Sequence, residues 1–250
     1  MPAPLFNEIN LIPGWPNSQS RNGQKPRYAV LHTTEGAGGM ELVNYMRNAS
    51  VSYHYVIDND GTVYDLVDTD EASWSVLDAN NYCINYVFGA SRAAWSAQQW
   101  LDKMGRAIQI TARLVAQDLI KYNIPPVVSV GRPYTRINAG VIDHRYVTEV
   151  LGIGSHTDVG DGFPVDVFKQ HLMAAYNELK PKTPGIPPVK PPPPPTTPVA
   201  PPKPAFSYPS QAEMIIQIWE QLFGPRGRGW PQLGGHTLVD AVAEIENKIK

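Results

Sequence analysis

A chain of 250 residues has the length for one or two domains with a real core. Its formal net charge of −2, with no run of Lys and Arg, argues against nucleic acid as a partner. The single cysteine, Cys83, excludes an internal disulfide framework, and no apolar stretch is long enough for membrane insertion. The N-terminal twenty residues lack a basic start followed by an apolar run, so no secretory signal is expected. The protein therefore reads as one made in the cytoplasm.

Residues 1–26, rich in Pro, Asn and Ser, read as an irregular lead-in. RYAVLH (27–32) is a short apolar run ending in a polar residue, the pattern of a buried strand. TTEGAGG then reads as a turn and MELVNYMRN as a helix. VSYHYVIDNDGTVYDLV (51–67) is a hairpin, with two β-rich runs flanking the Asp60-Gly61 turn. YCINYVF (82–88) is a further strand. The stretch 91–123 carries Ile108, Leu114, Val115, Leu119 and Ile120 at near-helical spacing and reads as one or two helices ended by Pro125-Pro126. Residues 143–166, DHRYVTEVLGIGSHTDVGDGFPVD, are rich in Gly, Thr, Ser and Asp and read as a loop over most of their length. VDVFKQHLMAAYNELK closes the region as a helix. Alternating strands and helices give an α/β domain over 1–180, a mixed central sheet flanked by helices.

Composition changes at 181–209 to a proline-rich stretch, with five consecutive prolines at 191–195, and an extended polyproline linker is expected. A ligand for an SH3-like partner is the competing reading. Beyond it, residues 210–250 read as a small helical module. Ser210 and Glu213 form a capping box, Met214, Ile215, Ile218, Trp219 and Leu222 give one apolar face, and Leu238, Val242, Ile245 and Ile249 give another. Two such helices have little core of their own, so wall binding and self-association are both open roles.

Chemistry concentrates on histidines. A hydrolytic zinc site needs three protein ligands and one open position. Of the six histidines, His171 in a helix and His236 beyond the linker read as surface residues. His32 ends an apolar strand where a turn begins; taken alone it reads equally as a core histidine satisfied by backbone. The loop holding His144 and His156, with Asp143, Asp158, Asp161 and Asp166, reads alone either as a site or as a solvated surface.

The order of these pieces, LHTTEG, VSYHYVIDNDGTVYDLV, Trp74, an Asn-rich approach to a strand, His144 and a late HTD followed by FP, resembles the zinc-dependent N-acetylmuramoyl-L-alanine amidases. That family includes amidase-type phage lysozymes and the peptidoglycan recognition proteins, and the resemblance covers about residues 27–179. It implies Zn2+ held by His32, His144 and Asp158, with Asp161 and Asp166 as weaker alternatives to Asp158. It implies catalytic roles for Tyr53, which matches a tyrosine of the phage lysozymes, and for His156, which stands where many members carry an oxyanion-steadying lysine. His54 reads as structural. The family's strand commonly ends in a glutamate that shuttles protons, and here Val87 takes that place. Either Glu35 supplies the acid/base group, or Tyr53 and His156 suffice, or the chain is a binder that has lost catalysis.

The expected function is a phage endolysin with bacterial peptidoglycan as its partner, hydrolysing the amide between N-acetylmuramic acid and L-alanine. It would be made in the host cytoplasm and act on the wall after release. The alternative is a non-catalytic peptidoglycan-binding protein on the same fold. A regulator of another protein is a third reading.

Overall fold

The computed structural model describes residues 5–181 and Thr237. The chain divides into two units, Met1–Gly185 and Ile186–Lys250. Apart from Pro181 and Thr237, the expected linker and C-terminal helices lie outside the described residues.

In chain order the elements are β1 (Asn7–Asn10), β2 (Ser18–Ser20), β3 (Tyr28–Thr33), α1 (Gly39–Arg47), β4 (Tyr55–Ile57), β5 (Thr62–Asp65) and β6 (Glu71–Ser73). A 3-10 turn (Leu77–Tyr82), β7 (Cys83–Phe88), α2 (Ala97–Lys121), β8 (Val128–Ser129), β9 (Gly140–Asp143), α3 (His144–Glu149) and α4 (Val165–Leu179) follow. Among the described residues, seven strands form one mixed sheet in the order β1-β5-β4-β7-β3-β9-β8, and β2 pairs with β6 separately. Strands β3, β7 and β9 run parallel, whereas β4 and β5 form the antiparallel hairpin.

Every residue of β3 and β7 is buried, as parallel strands covered on both faces must be. One face carries Ala29, Leu31, Ile84, Tyr86 and Phe88, packed beneath α2 and α4 through Trp100, Ile108, Phe168 and Leu172. The opposite face packs Val56, Tyr64 and Val87 against Leu42, Val43 and Met46 of α1. Further along it, Val30 and Ile142 meet Tyr146 and Val147 of α3. The sequence-based expectation of a mixed sheet flanked by helices therefore holds.

Two details differ, and a third settles between two expected alternatives. Residues 1–26 are not wholly irregular. NEIN forms an edge strand by parallel pairing with β5, and SQS pairs antiparallel with β6. These short polar runs have no alternation to read; partner strands make them strands. The stretch 143–166 contains α3, started by Asp143, whose side chain accepts the Tyr146 N–H. Six residues are too few for a helical period to show. The region after residue 91 holds one helix of 25 residues, α2, opened by a capping box between Ser96 and Gln99. It stops at Lys121, short of the prolines. Among the described residues no helix is long and apolar enough to cross a membrane.

The outer end of the hairpin buries an acidic side chain. Asp65 is 9% exposed, and its Oδ1 has no hydrogen-bond partner. Burial and the neighbouring carboxylates of Glu8, Asp118 and Asp68 push its pKa up to about 7. The unfolded chain releases this proton near 3.8, so folding takes up a proton between those values. Stability from this group is then present at low pH and declines as pH rises through the window. Asp65→Asn should melt above the wild type at pH 8, with the gap closing toward pH 5. Thermal unfolding at both pH values checks this; a gap that widens on acidification would refute it.

Candidate metal centre

The strand order places two histidines side by side. In the β3–β9 pair, Leu31 stands opposite Asp143, so the next residues, His32 and His144, leave the same end of adjacent parallel strands. Carboxyl ends of parallel strands are the usual location of sites in open α/β sheets. His32 is fully buried and His144 is 4% exposed. Asp143 fixes the start of α3: its carboxylate accepts N–H bonds from Tyr146 (2.7 Å) and Gly131 (2.8 Å) and the Tyr134 hydroxyl (2.8 Å).

Asp158 closes the group from the following loop. Its carbonyl accepts the Arg145 N–H at 2.8 Å, and its Oδ2 accepts the Thr33 N–H at 3.3 Å. The Nδ1 atoms of His32 and His144 are 3.1 Å apart. Each lies 3.4 Å from one carboxylate oxygen of Asp158. A tetrahedral ion with bonds of about 2.0–2.2 Å to N and O separates its donors by roughly 3.3–3.5 Å. The three residues, buried and converging, thus fit a small tetrahedral cation and could hold a metal.

The electrostatics agree. Burial pushes the Asp158 carboxyl up, but the imidazoles of His144 and His32 beside it outweigh burial and hold the group well below its ordinary range. Burial lowers the His144 pKa, only partly offset by Asp158. An ionised carboxylate beside a neutral imidazole is the protonation pattern a metal requires.

The cavity beside the three donors has a volume of about 830 Å³. Glu35, Tyr53 and His156 all line it, along with His144 and Asp158. The Tyr53 ring sits 4.9 Å from that of His32, and burial followed by the Asp158 charge raises its phenol pKa. His156 stacks on His144, ring centroids 3.9 Å apart and planes within 11°. Burial first, then His144, lowers the His156 pKa. Glu35 Oε1 accepts the Thr33 hydroxyl at 2.7 Å and the Ala93 N–H at 2.8 Å.

The other residues weighed from the sequence are not among the three converging donors, although Asp161 lines the cavity. Asp161 pairs with Arg145, and Asp166 lies in the first turn of α4. His54 is fully buried and bonded to Ser73 and to the Asn85 N–H. His171 lies on α4, outside the cavity lining, and His236 lies outside the described residues. Val87 is fully buried beside His32 and carries no proton. Sequence reasoning missed Arg145, Trp95 and Thr33 in the cavity wall. Arg145 had one available signal, its place next to His144; Trp95 had none.

Residues 22–161 match the model of the N-acetylmuramoyl-L-alanine amidase family, and the chain belongs to that family. Residues 208–250 match the Rv3766 C-terminal domain. The chain is 43% identical over 54 residues to an uncharacterized protein, Rv3766, of Mycobacterium tuberculosis, covering 18% of this chain and 20% of that protein. It thus matches about a fifth of the length of that curated relative. Among solved structures, the Staphylococcus aureus hydrolase AmiA in complex with its ligand is 21% identical, with a TM-score of 0.54 over 70% of this chain and 85% of that one. The N-acetylmuramoyl-L-alanine amidase LysC from Clostridium intestinale is 17% identical, with a TM-score of 0.45 over 68% and 99%. AmiA shares the fold described above.

Because Asp143 both caps α3 and precedes His144, Asp143→Ala should destabilise the protein by about 1–3 kcal/mol. Urea unfolding monitored by circular dichroism checks this. A change below about 0.5 kcal/mol would show that the cap contributes little.

Proposed function

We propose that this chain is a zinc-dependent N-acetylmuramoyl-L-alanine amidase, hydrolysing the amide between the lactyl group of N-acetylmuramic acid and L-alanine in bacterial peptidoglycan. The observation carrying this reading is the convergence of His32, His144 and Asp158, at near-tetrahedral spacing, beside a cavity of about 830 Å³ that His144 and Asp158 line. Zinc held there would supply Lewis-acid polarisation of the scissile carbonyl and acidify water. The chain's own groups would do the rest. His156, its charge disfavoured by burial and by His144, acts as a neutral N–H donor to the developing oxyanion. Tyr53, with its phenol pKa raised, stays protonated and donates. Glu35 is the remaining candidate for moving a proton between water and the leaving amine. Both of its hydrogen bonds fall on Oε1, leaving Oε2 for that task.

The wider role we propose is that of a phage endolysin, made in the host cytoplasm and acting on the wall after release. The proline-rich stretch 181–209 would tether the amidase domain to a C-terminal module that binds the wall or pairs two copies, raising the local enzyme concentration on a polymer. The separate family match of residues 208–250 supports an independent module. Val87 in place of the expected glutamate favours a second reading, a wall binder without catalysis.

Two measurements test these statements. Purified protein should carry one zinc per chain, and His144→Ala should lose it; stoichiometric zinc in a His32→Ala, His144→Ala double variant would overturn the ligand assignment. Glu35→Gln should lower the release of new N-terminal alanine from purified walls by ~10²–10⁴ while zinc content stays intact. Unchanged turnover would remove Glu35 from the mechanism. No alanine release from zinc-loaded wild type would favour the binder.

A further inference from the structure

Behind His32 lies a buried polar chain that the proposed chemistry does not use. His32 Nε2 is 2.9 Å from Asn85 Oδ1, and Asn85 Nδ2 is 2.9 Å from Ser73 Oγ. Ser73 Oγ is in turn 3.0 Å from His54 Nδ1 and 3.1 Å from Ser75 Oγ. His32, Asn85, Ser73 and His54 are all fully buried. No water is needed to satisfy them, so the positions of their protons follow from the backbone groups at the ends of the chain.

The backbone allows one solution. His54 Nδ1 faces the Asn85 backbone N–H, which can only donate, so the ring proton sits on Nε2, toward the Glu71 carbonyl at 3.1 Å, although Arg21 Nη2 also lies 3.1 Å from Nε2. His54 Nδ1 is then bare and accepts the Asn85 N–H at 3.0 Å. The Ser75 hydroxyl donates to the Ser52 carbonyl, so its oxygen is free to accept. Turned toward Asn85, the Ser73 proton would leave Oγ facing two acceptors, His54 Nδ1 and Ser75 Oγ, with no proton between, so it turns to one of those two and is committed there as a donor. Ser73 Oγ must therefore accept from Asn85, which orients the amide with Oδ1 toward His32. An amide oxygen only accepts, so His32 carries its proton on Nε2 and presents a bare Nδ1 to His144 and Asp158.

The geometry points to Asn85 as a positioning residue that, anchored through Ser73 and His54, locks His32 in the tautomer able to ligate through Nδ1. The role rests on the metal-centre reading. Partners of this kind orient a ligating histidine, and their loss costs ~10–100-fold in metal affinity. Asn85 stands two residues before Val87 in β7, so the strand whose end lacks a carboxylate contributes here instead.

The test measures two quantities on the full chain: the His32 tautomer by 15N–1H correlation of labelled histidine in metal-free protein, and zinc affinity by chelator competition. The wild type should show His32 wholly in the Nε2–H form. Asn85→Leu should show mixed tautomers and zinc binding ~10–100-fold weaker. Asn85→Asp, which keeps an acceptor, should restore both, which a purely space-filling role would not require. Should the leucine variant not fold, Ser73→Ala leaves Asn85 in place but frees its amide, and mixed tautomers are again expected. An Nδ1–H form in the wild type, or unchanged tautomer and affinity in Asn85→Leu, would overturn the assignment, as would a pure Nε2–H form in Ser73→Ala. A wild type that takes up no zinc overturns the metal-centre reading instead, while the metal-free tautomer still decides the role of Asn85.

Discussion

Two imidazole nitrogens and a carboxylate crowd together within 3.4 Å of one another, almost wholly out of water, and the surrounding structure exists to keep them there. Left to themselves these groups would separate into solvent, since an ionised carboxylate is costly to bury. Strand pairing prevents it. The parallel register of β3 on β9 fixes Leu31 opposite Asp143, and the histidines that follow cannot move apart without slipping the strand. A slip of one residue would turn every side chain of β3 to the other face and take the apolar core with it. The site is therefore held by the packing of Leu31, Ile84 and Phe88 beneath α2, not by its own contacts.

The two faces of the sheet divide the work. The face under α2 and α4 is mostly hydrocarbon and aromatic rings, with Trp100 packed edge-on against Phe88 and Phe163 and one polar contact where the Tyr86 hydroxyl donates to Asp118 at 2.6 Å. On the other side the apolar residues are interrupted by His32, His54 and Asn85, which meet Ser73 of β6, all fully buried. Each is tied by hydrogen bonds to a neighbour or to backbone, which offsets the cost of taking it from water. Arg21 closes the far end of this polar patch, donating to the carbonyls of Thr69, Asn81 and Cys83. Its residue range was expected to be irregular, yet it anchors the inner network.

What could be read from the sequence followed from periodicity and from short-range chemistry. β3, β7, the β4–β5 hairpin and α4 announce themselves because their apolar residues recur at the period of the element. His32, His144 and Asp158 were found through the order of motifs; nothing in local spacing brings residues 32, 144 and 158 together. That proximity is created by a parallel crossover, which pattern cannot show. β1, β2 and α3 were missed because they are short and take their structure from partners or from a single cap at Asp143. Asn85 was visible only as part of an altered strand. Its use depends on a register that places it on the same face as His32 and two residues from Val87.

That register also bears on whether the altered strand means lost catalysis. Replacing buried, hydrogen-bonded polar groups by apolar ones of similar shape is often neutral or stabilising. A pure wall binder on this fold would be served as well by an apolar residue at 85, packed against Val30 and Val87. Instead β7 carries an amide there, and three further polar side chains and two backbone carbonyls are arranged to aim it. Such an arrangement has a consequence only if the other nitrogen of His32 has a task. On the reading proposed above, the absence of a carboxylate at 87 bears on which group moves protons and not on His32, His144 and Asp158, which could hold a cation without it.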